Sequence, residues 1–467
     1  MPRAGWVKPE TNQRLSDHIS IGVLTRVFPP DLVDRVVAEA GRKEVRHRLL
    51  PARVVVYYVL GLALFADASY EEVMRNLVEG LSWASGWESA WQVPTKASLF
   101  KARARLGPEP LEALFRAVAQ PMATDKTIGA FYRGLRLMSI DGTTIDLADT
   151  EENEGRFGRP GSGRGEGGGA FPRVRVVGLG ECGTHGIVAA SPGPLSSGEA
   201  ALARDLLPAL SKGMLVLADR YYYSFKLWNE AKVSGAELLW RTKRNHVLPV
   251  VERLSDGSYL SFLHEVIGTH RRRSDVVVRV IEYGLDDPAR TDTEDRYRLL
   301  TTLLDEQAAP AVELAALYTR RWRIETMLSE LKTHQRGPRV VLRSKAPDGV
   351  TQELYGYLCV HYAIRWLMHA VAIDAGEDPD RLSFTRALRV ARRTTASHPV
   401  FPPRDLDEAQ CKAAEEILFE PLGPRRLRTN PRVVKRKMSN FAVKRPEHRN
   451  WPRPTRTPEQ AVVVLRY

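Results

Sequence analysis

From Leu15 to about Met122, apolar residues recur at spacings of three and four, the period of helices with one buried face. Ser69 precedes Tyr70 and has Glu72 three positions on, a capping box that predicts a helix carrying Val73, Met74 and Leu77 inward. Pro94 and Thr95 predict a second start, after which Leu99, Ala102 and Leu106 face a core while Lys96, Lys101, Arg103 and Arg105 stand free. Such a basic helix fits a DNA groove as well as it fits solvent. Val54 to Ala66 is strongly apolar but falls short of the roughly 20 residues needed to cross a bilayer, so it reads as a buried helix.

At Gly134 the texture changes. Leu135 to Ile140, Arg173 to Leu179 and Met214 to Ala218 are short runs rich in Val, Ile and Leu, which predict strands of a central sheet. Glu154 to Gly169 is dense in glycine, with Arg156, Arg159 and Arg164 interspersed, and lacks the spacing of a phosphate-binding loop. It reads either as a mobile basic loop that orders on DNA or as a plain linker. Asp256-Gly257 predicts a hairpin turn in a second β-rich stretch, with Val276 to Tyr283 and Tyr297 to Leu304 as strand material. The helical pattern returns at Ala308, so that stretch reads as an insertion. These breaks divide the chain into a helical N-terminal DNA-binding region over 1–123, a core in two parts over 130–246 and 306–400, a β-rich insertion over 247–305 and a basic C-terminal tail over 401–467.

The 467 residues allow several folded modules, and 43% hydrophobic with 27% charged residues excludes a mostly disordered or fibrous chain. The formal charge of +13 draws polyanions, nucleic acid or an anionic membrane surface. Much of it lies between Pro424 and Arg456, where Arg and Lys outweigh the single acid Glu447 and repeated prolines forbid one long helix. An arm laid along phosphates and a solubilising tail are the two readings of that segment. Three separated cysteines, Cys182, Cys359 and Cys411, argue against a disulfide framework, and Cys182 with His185 lacks a second pair to complete a zinc site. No apolar leader follows the start, so a cytoplasmic, nucleoid-associated protein is expected.

Two aspartates follow apolar runs directly: Asp141 in Ser-Ile-Asp-Gly-Thr-Thr, and Asp219 after Leu215-Val216-Leu217-Ala218. Carboxylates at the carboxyl ends of central strands stand where open α/β sheets bind ligands, although an Asp there also caps turns and helices. Farther on, Tyr318, Arg321, Glu325 and Lys332 share one face if residues 318–332 form one α-helix, with Ile324, Met327, Leu328 and Leu331 on the adjoining core side. Glu325 is then half sheltered beside cations. A helix surface laced with ion pairs three and four apart is the plainer reading. Two strand-end aspartates, a helix-borne glutamate and surplus cations are the parts of a two-metal phosphoryl-transfer site, in which two Mg²⁺ ions about 3.5 to 4 Å apart stabilise attacking and leaving oxygens. Carboxylates are the hard ligands that Mg²⁺ prefers. Arg321 and Lys332 are candidates to neutralise bound phosphates, Tyr318 to donate to one, and Trp322 either to stack on an unpaired base or to pack in the core. Asp146, Glu199 and Glu330 are secondary acids that could assist the site, with solvent exposure the plainer expectation for each.

The spacing Tyr-x-x-Arg-x-x-x-Glu-x-x-x-x-x-x-Lys, matched at Tyr318, Arg321, Glu325 and Lys332, resembles the signature of DDE insertion-sequence transposases of the insertion-sequence-four group. Asp-Gly-Thr at Asp141 and Asp-Arg-Tyr-Tyr-Tyr at Asp219 resemble that family's first two acidic motifs, in order, and the likeness reaches from the helical N-terminal region to about residue 400. The resemblance implies an α/β, ribonuclease-H-like core interrupted by a β-rich insertion, with Asp141, Asp219 and Glu325 as metal-holding catalytic residues for two Mg²⁺ ions or Mn²⁺. It implies cut-and-paste chemistry through a DNA hairpin. The partners it implies are double-stranded DNA, as terminal inverted repeats and as target, and a second copy of the chain in a synaptic complex, with no membrane. Tyr318, Arg321, Trp322, Lys332, Lys96, Arg103 and Arg105 are the candidate DNA contacts. Competing readings are a metal-dependent nuclease without strand transfer and a DNA-binding protein that keeps the fold without catalysis.

Overall fold

The computed structural model describes residues 21–45, 50–78, 93–161, 169–267, 270–289, 296–337, 341–397, 403–423, 433–434, 442–452 and 455–465. Arg164 and much of the basic tail fall outside them. The main helices, in chain order, are α1 (Pro30–Glu39), α2 (Ala52–Leu64), α3 (Tyr70–Val78), α4 (Lys96–Leu106), α5 (Glu109–Val118), α6 (Phe225–Val233), α7 (Ala311–Tyr318), α8 (Trp322–Ser329), α9 (Pro347–Ala375) and α10 (Phe384–Ser397). The main strands are β1 (Leu135–Leu147), β2 (Arg173–Glu181), β3 (Ile187–Pro194), β4 (Met214–Ala218), β5 (Glu237–Arg241), β6 (Tyr259–Ile267), β7 (His270–Leu285), β8 (Tyr297–Thr301), β9 (Val341–Leu342) and β10 (Val462–Val464). The chain is thus mixed α/β, and its sheet structure includes both parallel and antiparallel pairs.

The chain divides into two compact units. One comprises Met1–Phe131, Gly142–Leu202 and Ile324–Leu422; the other comprises Tyr132–Asp141, Ala203–Arg323 and Gly423–Tyr467. The backbone passes between the units at Phe131-Tyr132, Asp141-Gly142, Leu202-Ala203, Arg323-Ile324 and Leu422-Gly423.

The first unit is built round α2 and α9. Every residue of α2 except Arg53 is buried, as the unbroken apolar run requires. No helix among the described residues is long and apolar enough to cross a membrane. α9 starts with Pro347 in its first turn and ends on Gly376 at φ +65°, the left-handed cap that glycine takes without strain. Midway, a Cβ at Gly356 would lie 3.2 Å from the Val59 carbonyl oxygen, so glycine lets α9 and α2 approach closely. The expected caps are present: Ser69 Oγ accepts from Glu72 N at 3.1 Å, and Thr95 Oγ1 from Ser98 N at 3.3 Å. Leu99, Ala102 and Leu106 are buried as their spacing demands.

Several expectations in this unit are corrected. Arg103 is not free: it is buried, and its guanidinium donates to Gln352 Oε1, Ser344 Oγ and the Gly349 carbonyl. Arg105 is partly buried and donates to the Leu50 carbonyl at 2.8 Å. A stripe of cations on a helix cannot say which of them neighbouring carbonyls will claim. The glycine-rich segment begins not as a loop but as the helix Glu151–Phe157, capped by Thr150, and Arg159 is held by Asp149 and Glu154. Strands β3, β2 and β1 follow one another in hydrogen-bonded order, and β9 pairs parallel to β1 at Asp146 and Leu147. Asp146 is not loose in solvent but pairs with Arg173 at 2.5 Å.

The second unit carries a sheet in the order β1-β4-β5-β8-β7-β6. The first three strands are parallel, and all five residues of β4 are buried, the pattern of a strand covered on both faces. β8 then pairs antiparallel to β5 at Leu300 and Trp240, so the β-rich stretch continues this ladder. The Asp256-Gly257 turn forms with Gly257 at φ +90°. Asp256 pairs with the fully buried Arg279 and accepts from Ala311 N at 2.7 Å, which joins the turn to the start of α7. The tail does not end as a loose arm: β10 pairs antiparallel to β7 at Val463 and Gly284, and the Asp287 carboxylate accepts from the backbone of Thr455 and Arg456.

Candidate active site

Asp141 and Asp219 are brought together by strand pairing. β1 and β4 run parallel, with Ile140 facing Ala218 as the last paired position, and each aspartate is the next residue. β1 does not stop at Ile140 as expected but continues through Gly142 to Leu147, so Asp141 sits within a strand. Asp219 does leave its strand: its carbonyl accepts from Tyr222 N at 3.0 Å, a tight turn that leads to Ser224, the cap of α6. Both side chains are partly buried. Asp219 Oδ1 accepts from Arg220 N at 2.6 Å.

The signature segment is not one regular helix. α7 ends at Tyr318, Thr319–Arg321 form a 3₁₀ turn, α8 follows, and Glu330–Gln335 form a π turn. Each change alters the angle per residue, so a stripe drawn at a constant 100° does not describe the positions of Tyr318, Arg321, Glu325 and Lys332. Ile324, Met327, Leu328 and Leu331 are buried as expected.

Tyr318 does not offer its hydroxyl to a ligand. It is 4% exposed, and its hydroxyl donates to the Ala218 carbonyl at 3.1 Å. Burial, with the Asp219 carboxylate adding to it against Arg321, pushes the phenol well above its usual range, so it remains a donor. Arg321 is also buried; one guanidinium nitrogen lies 3.5 Å from Asp141 Oδ2 and the group stands 4.7 Å over the Trp322 ring. Trp322 is 49% exposed, which sets aside its reading as a core residue. Glu325, in the first turn of α8, is exposed rather than half sheltered and belongs to the first unit, whereas both aspartates belong to the second. Lys332 lies in the π turn, partly buried. Lys96 is exposed on α4, 5.7 Å from the Tyr70 ring centre.

Sequence reasoning missed what holds the segment that follows Glu325. Glu330 was expected in solvent, but it is buried against Arg365 and 3.3 Å from His361 Nε2, both on α9. Burial opposes its charge, yet Arg365 and His361 hold its carboxyl below the usual range. Arg365 also reaches His185 Nδ1 at 3.1 Å, and His185 Nε2 lies 3.2 Å from Asp380. His185 thus lies between Arg365 and Asp380.

Paired carboxylates on neighbouring strands are suited to a hard divalent cation. Among the described residues, no three His, Cys, Asp or Glu side chains lie close enough together to hold a metal ion.

Residues 18–116 match the family model for the insertion element 4 transposase N-terminal region, and residues 132–362 match that for the transposase DDE domain. The chain belongs to the insertion-element-4 family of DDE transposases. Its relatives include the transposase InsG for insertion sequence element IS4 of Escherichia coli, 29% identical over 413 residues, which cover 87% of this chain and 90% of the relative. A putative transposase, InsZ, of the same organism is 24% identical over 232 residues, covering 50% of this chain and 71% of the relative. Among solved structures, the piggyBac transposase synaptic complex with hairpin DNA aligns over 84% of both chains, at 11% identity and a TM-score of 0.42. The chain is therefore a transposase enzyme, and Asp141 and Asp219, which directly follow the paired residues Ile140 and Ala218 of β1 and β4, both lie within the range that matches the DDE domain.

Proposed function

We propose that this transposase cuts DNA at the ends of its element and joins the freed 3′-hydroxyl to target DNA, with Asp141, Asp219 and Glu325 as the metal-holding residues of a ribonuclease-H-like core. The observation that carries the reading is the pairing of Ile140 with Ala218, which puts two carboxylates at neighbouring positions of a parallel sheet. Their oxygens fit a hard divalent cation in donor type, and Glu325 adds a third carboxylate through the signature. When bound, two Mg²⁺ or Mn²⁺ ions supply stabilisation of the charge that builds on the attacking and leaving oxygens of a phosphodiester. In this reading water nicks one strand, the 3′-hydroxyl attacks the opposite strand to form a hairpin, and after opening the same hydroxyl attacks target DNA. Two copies of the chain synapse two ends. The N-terminal helices, through the exposed Lys96, and the basic tail contribute DNA contacts, and the work is done in the cytoplasm on the nucleoid.

Linear element ends bearing a 3′-hydroxyl, incubated with a plasmid, test the reading. Joined products are expected; hydrolysis alone would instead establish a nuclease. Glu325→Gln removes one ligand charge and is expected to abolish cleavage while leaving end binding intact. Unchanged cleavage would remove Glu325 from the site.

A further inference from the structure

We propose that Lys444, Arg445 and Arg449 form a contact for the phosphates of duplex DNA, held in place by a clasp that fastens the basic segment to strand β7. The inference rests on the reading of this chain as one that acts on DNA, and it replaces a loose arm with a fixed one. All three cations are exposed. Arg449 ends the 3₁₀ turn Pro446–Arg449, and the Arg445 N–H closes that turn by donating to His448 Nδ1 at 2.8 Å. The His448 ring packs on Trp451, with 4.3 Å between centres, and Lys444 N donates to the Val434 carbonyl at 2.8 Å. Glu447, the single acid between Pro424 and Arg456, lies 3.9 Å from Arg445. Among the described residues, Lys444 and Arg449 have no acidic partner. Exposed cations on an ordered turn, unmatched by acids, are the electrostatic footprint of a contact to a nucleic-acid backbone.

The clasp is built on the buried Asp287. Its carboxylate accepts from Ala289 N at 2.9 Å, Thr455 N at 3.0 Å, and Arg456 N and the Thr455 hydroxyl at 3.1 Å each. Bonds to an ionised acceptor are the stronger kind. Farther on, the Asp286 N–H donates to the Ala461 carbonyl and the Leu465 N–H to the Glu282 carbonyl, so both flanks of β10 are joined to β7. Ala461 and Val462 are buried, and β10 packs against α7. Thr455 to Leu465 holds one cation, Arg456, and it pairs with Asp286. The clasp thus adds no free charge of its own. A basic chain with a loose end gives up conformational freedom each time it lies along DNA. With that end fastened, less freedom remains to be lost, and the cations stay at a high local concentration beside the bound duplex.

The experiment compares the full-length wild type with a triple variant, Lys444→Gln with Arg445→Gln and Arg449→Gln. Asp287→Asn and Val463→Pro open the clasp in two independent ways, and each is also placed in the triple variant. Asp287→Asn turns an acceptor oxygen into a donor that faces backbone N–H groups, and Val463→Pro takes a donor out of the ladder between β10 and β7. Affinity for an element end and for an unrelated duplex is measured against salt concentration. The triple variant is expected to lower the salt slope by about 3, one for each cation, on both duplexes, because phosphate contacts carry no sequence information. Opening the clasp is expected to weaken binding by about 10-fold or more in the wild type and to have no further effect in the triple variant, since it acts through those cations. An unchanged slope in the triple variant overturns the proposal. So does wild-type affinity in both clasp variants, or a clasp effect of full size in the triple variant, which marks a general loosening of the sheet. Failure of the wild type to cut and join element ends would instead overturn the strand-transfer reading, whatever the slopes show.

Discussion

Asp141 and Asp219 stand side by side because Ile140 and Ala218, the residues before them, face one another across parallel strands. Adjacent strands lie about 4.8 Å apart, so the backbones that carry the two aspartates are separated by one strand spacing. Arg321, beside Asp141, supplies a positive charge at that place.

Removal of divalent cations with EDTA is expected to stop cleavage and joining while end binding persists, and Mg²⁺ or Mn²⁺ is expected to restore both steps. Asp141→Asn is expected to reproduce the effect of EDTA without relief by added metal. Gel-shift and cleavage assays on one DNA substrate check this, and cleavage that survives EDTA would contradict it.

Arg365→Met leaves the Glu330 carboxylate buried without its main partner. Stranding one member of a buried pair costs about 3 to 5 kcal/mol. Denaturant unfolding is expected to register a loss of that size, and the double variant Arg365→Met with Glu330→Gln to regain much of it. If the single variant lost less than about 1 kcal/mol, the level of an exposed pair, the anchoring role of Glu330 would fall.

Gly180→Ala tests the contact between β2 and the helix carrying Glu325. The added Cβ would overlap Met327 Sδ and lie 2.8 Å from Ile324 Cδ1, and both side chains are fully buried. Overpacking of this kind typically costs about 1 to 3 kcal/mol, and cleavage is expected to fall through displacement of α8 while DNA binding is retained. Thermal melts with parallel cleavage assays decide it.

Arg103→Ala is expected to behave as a core mutation. It removes hydrogen bonds to Gln352, Ser344 and Gly349 inside the first unit, and the buried acceptors left behind cost about 1 to 3 kcal/mol each. The salt dependence of DNA binding is expected to remain that of the wild type. Lys96→Ala, at an exposed position, is expected to show the reverse pattern.

Stability is expected to fall as pH drops from 7 to 5. Burial lowers the pKa values of His361 and His369, so the folded protein keeps both neutral where the unfolded chain already binds protons, from about pH 6.5 downward. The stabilisation is therefore complete above the unfolded pKa and is lost below it, by up to about 1.4 kcal/mol per pH unit for each histidine. Glu330, held low by Arg365 and His361 despite its burial, adds a loss of the same sign at more acid pH. Denaturant midpoints at pH 7 and 5.5 are expected to differ less in His369→Gln than in the wild type; equal differences would contradict the assignment.

The strands, the caps at Ser69 and Thr95, and the core positions Leu99, Ala102, Leu106, Ile324 and Met327 were legible because each follows from local periodicity or a local hydrogen bond. The two aspartates were legible as residues closing apolar runs, and Tyr318, Arg321 and Glu325 as a spaced set. What was not legible depends on partners far along the chain. Arg103 is claimed by residues some 240 positions away, and Glu330 by Arg365 on another helix. The direction of Tyr318 was missed for a different reason: a change from α to 3₁₀ hydrogen bonding leaves no mark in an apolar pattern, so the hydroxyl was assigned to a ligand when it belongs to Ala218.

The order of Asp141, Asp219 and Glu325 along the chain limits what a damaged copy of the gene can encode. A reading frame interrupted anywhere before Glu325 still yields both aspartates if it extends past Asp219, but never the glutamate. A segment limited to the second unit carries Asp141 and Asp219 and lacks Glu325, which falls in the first.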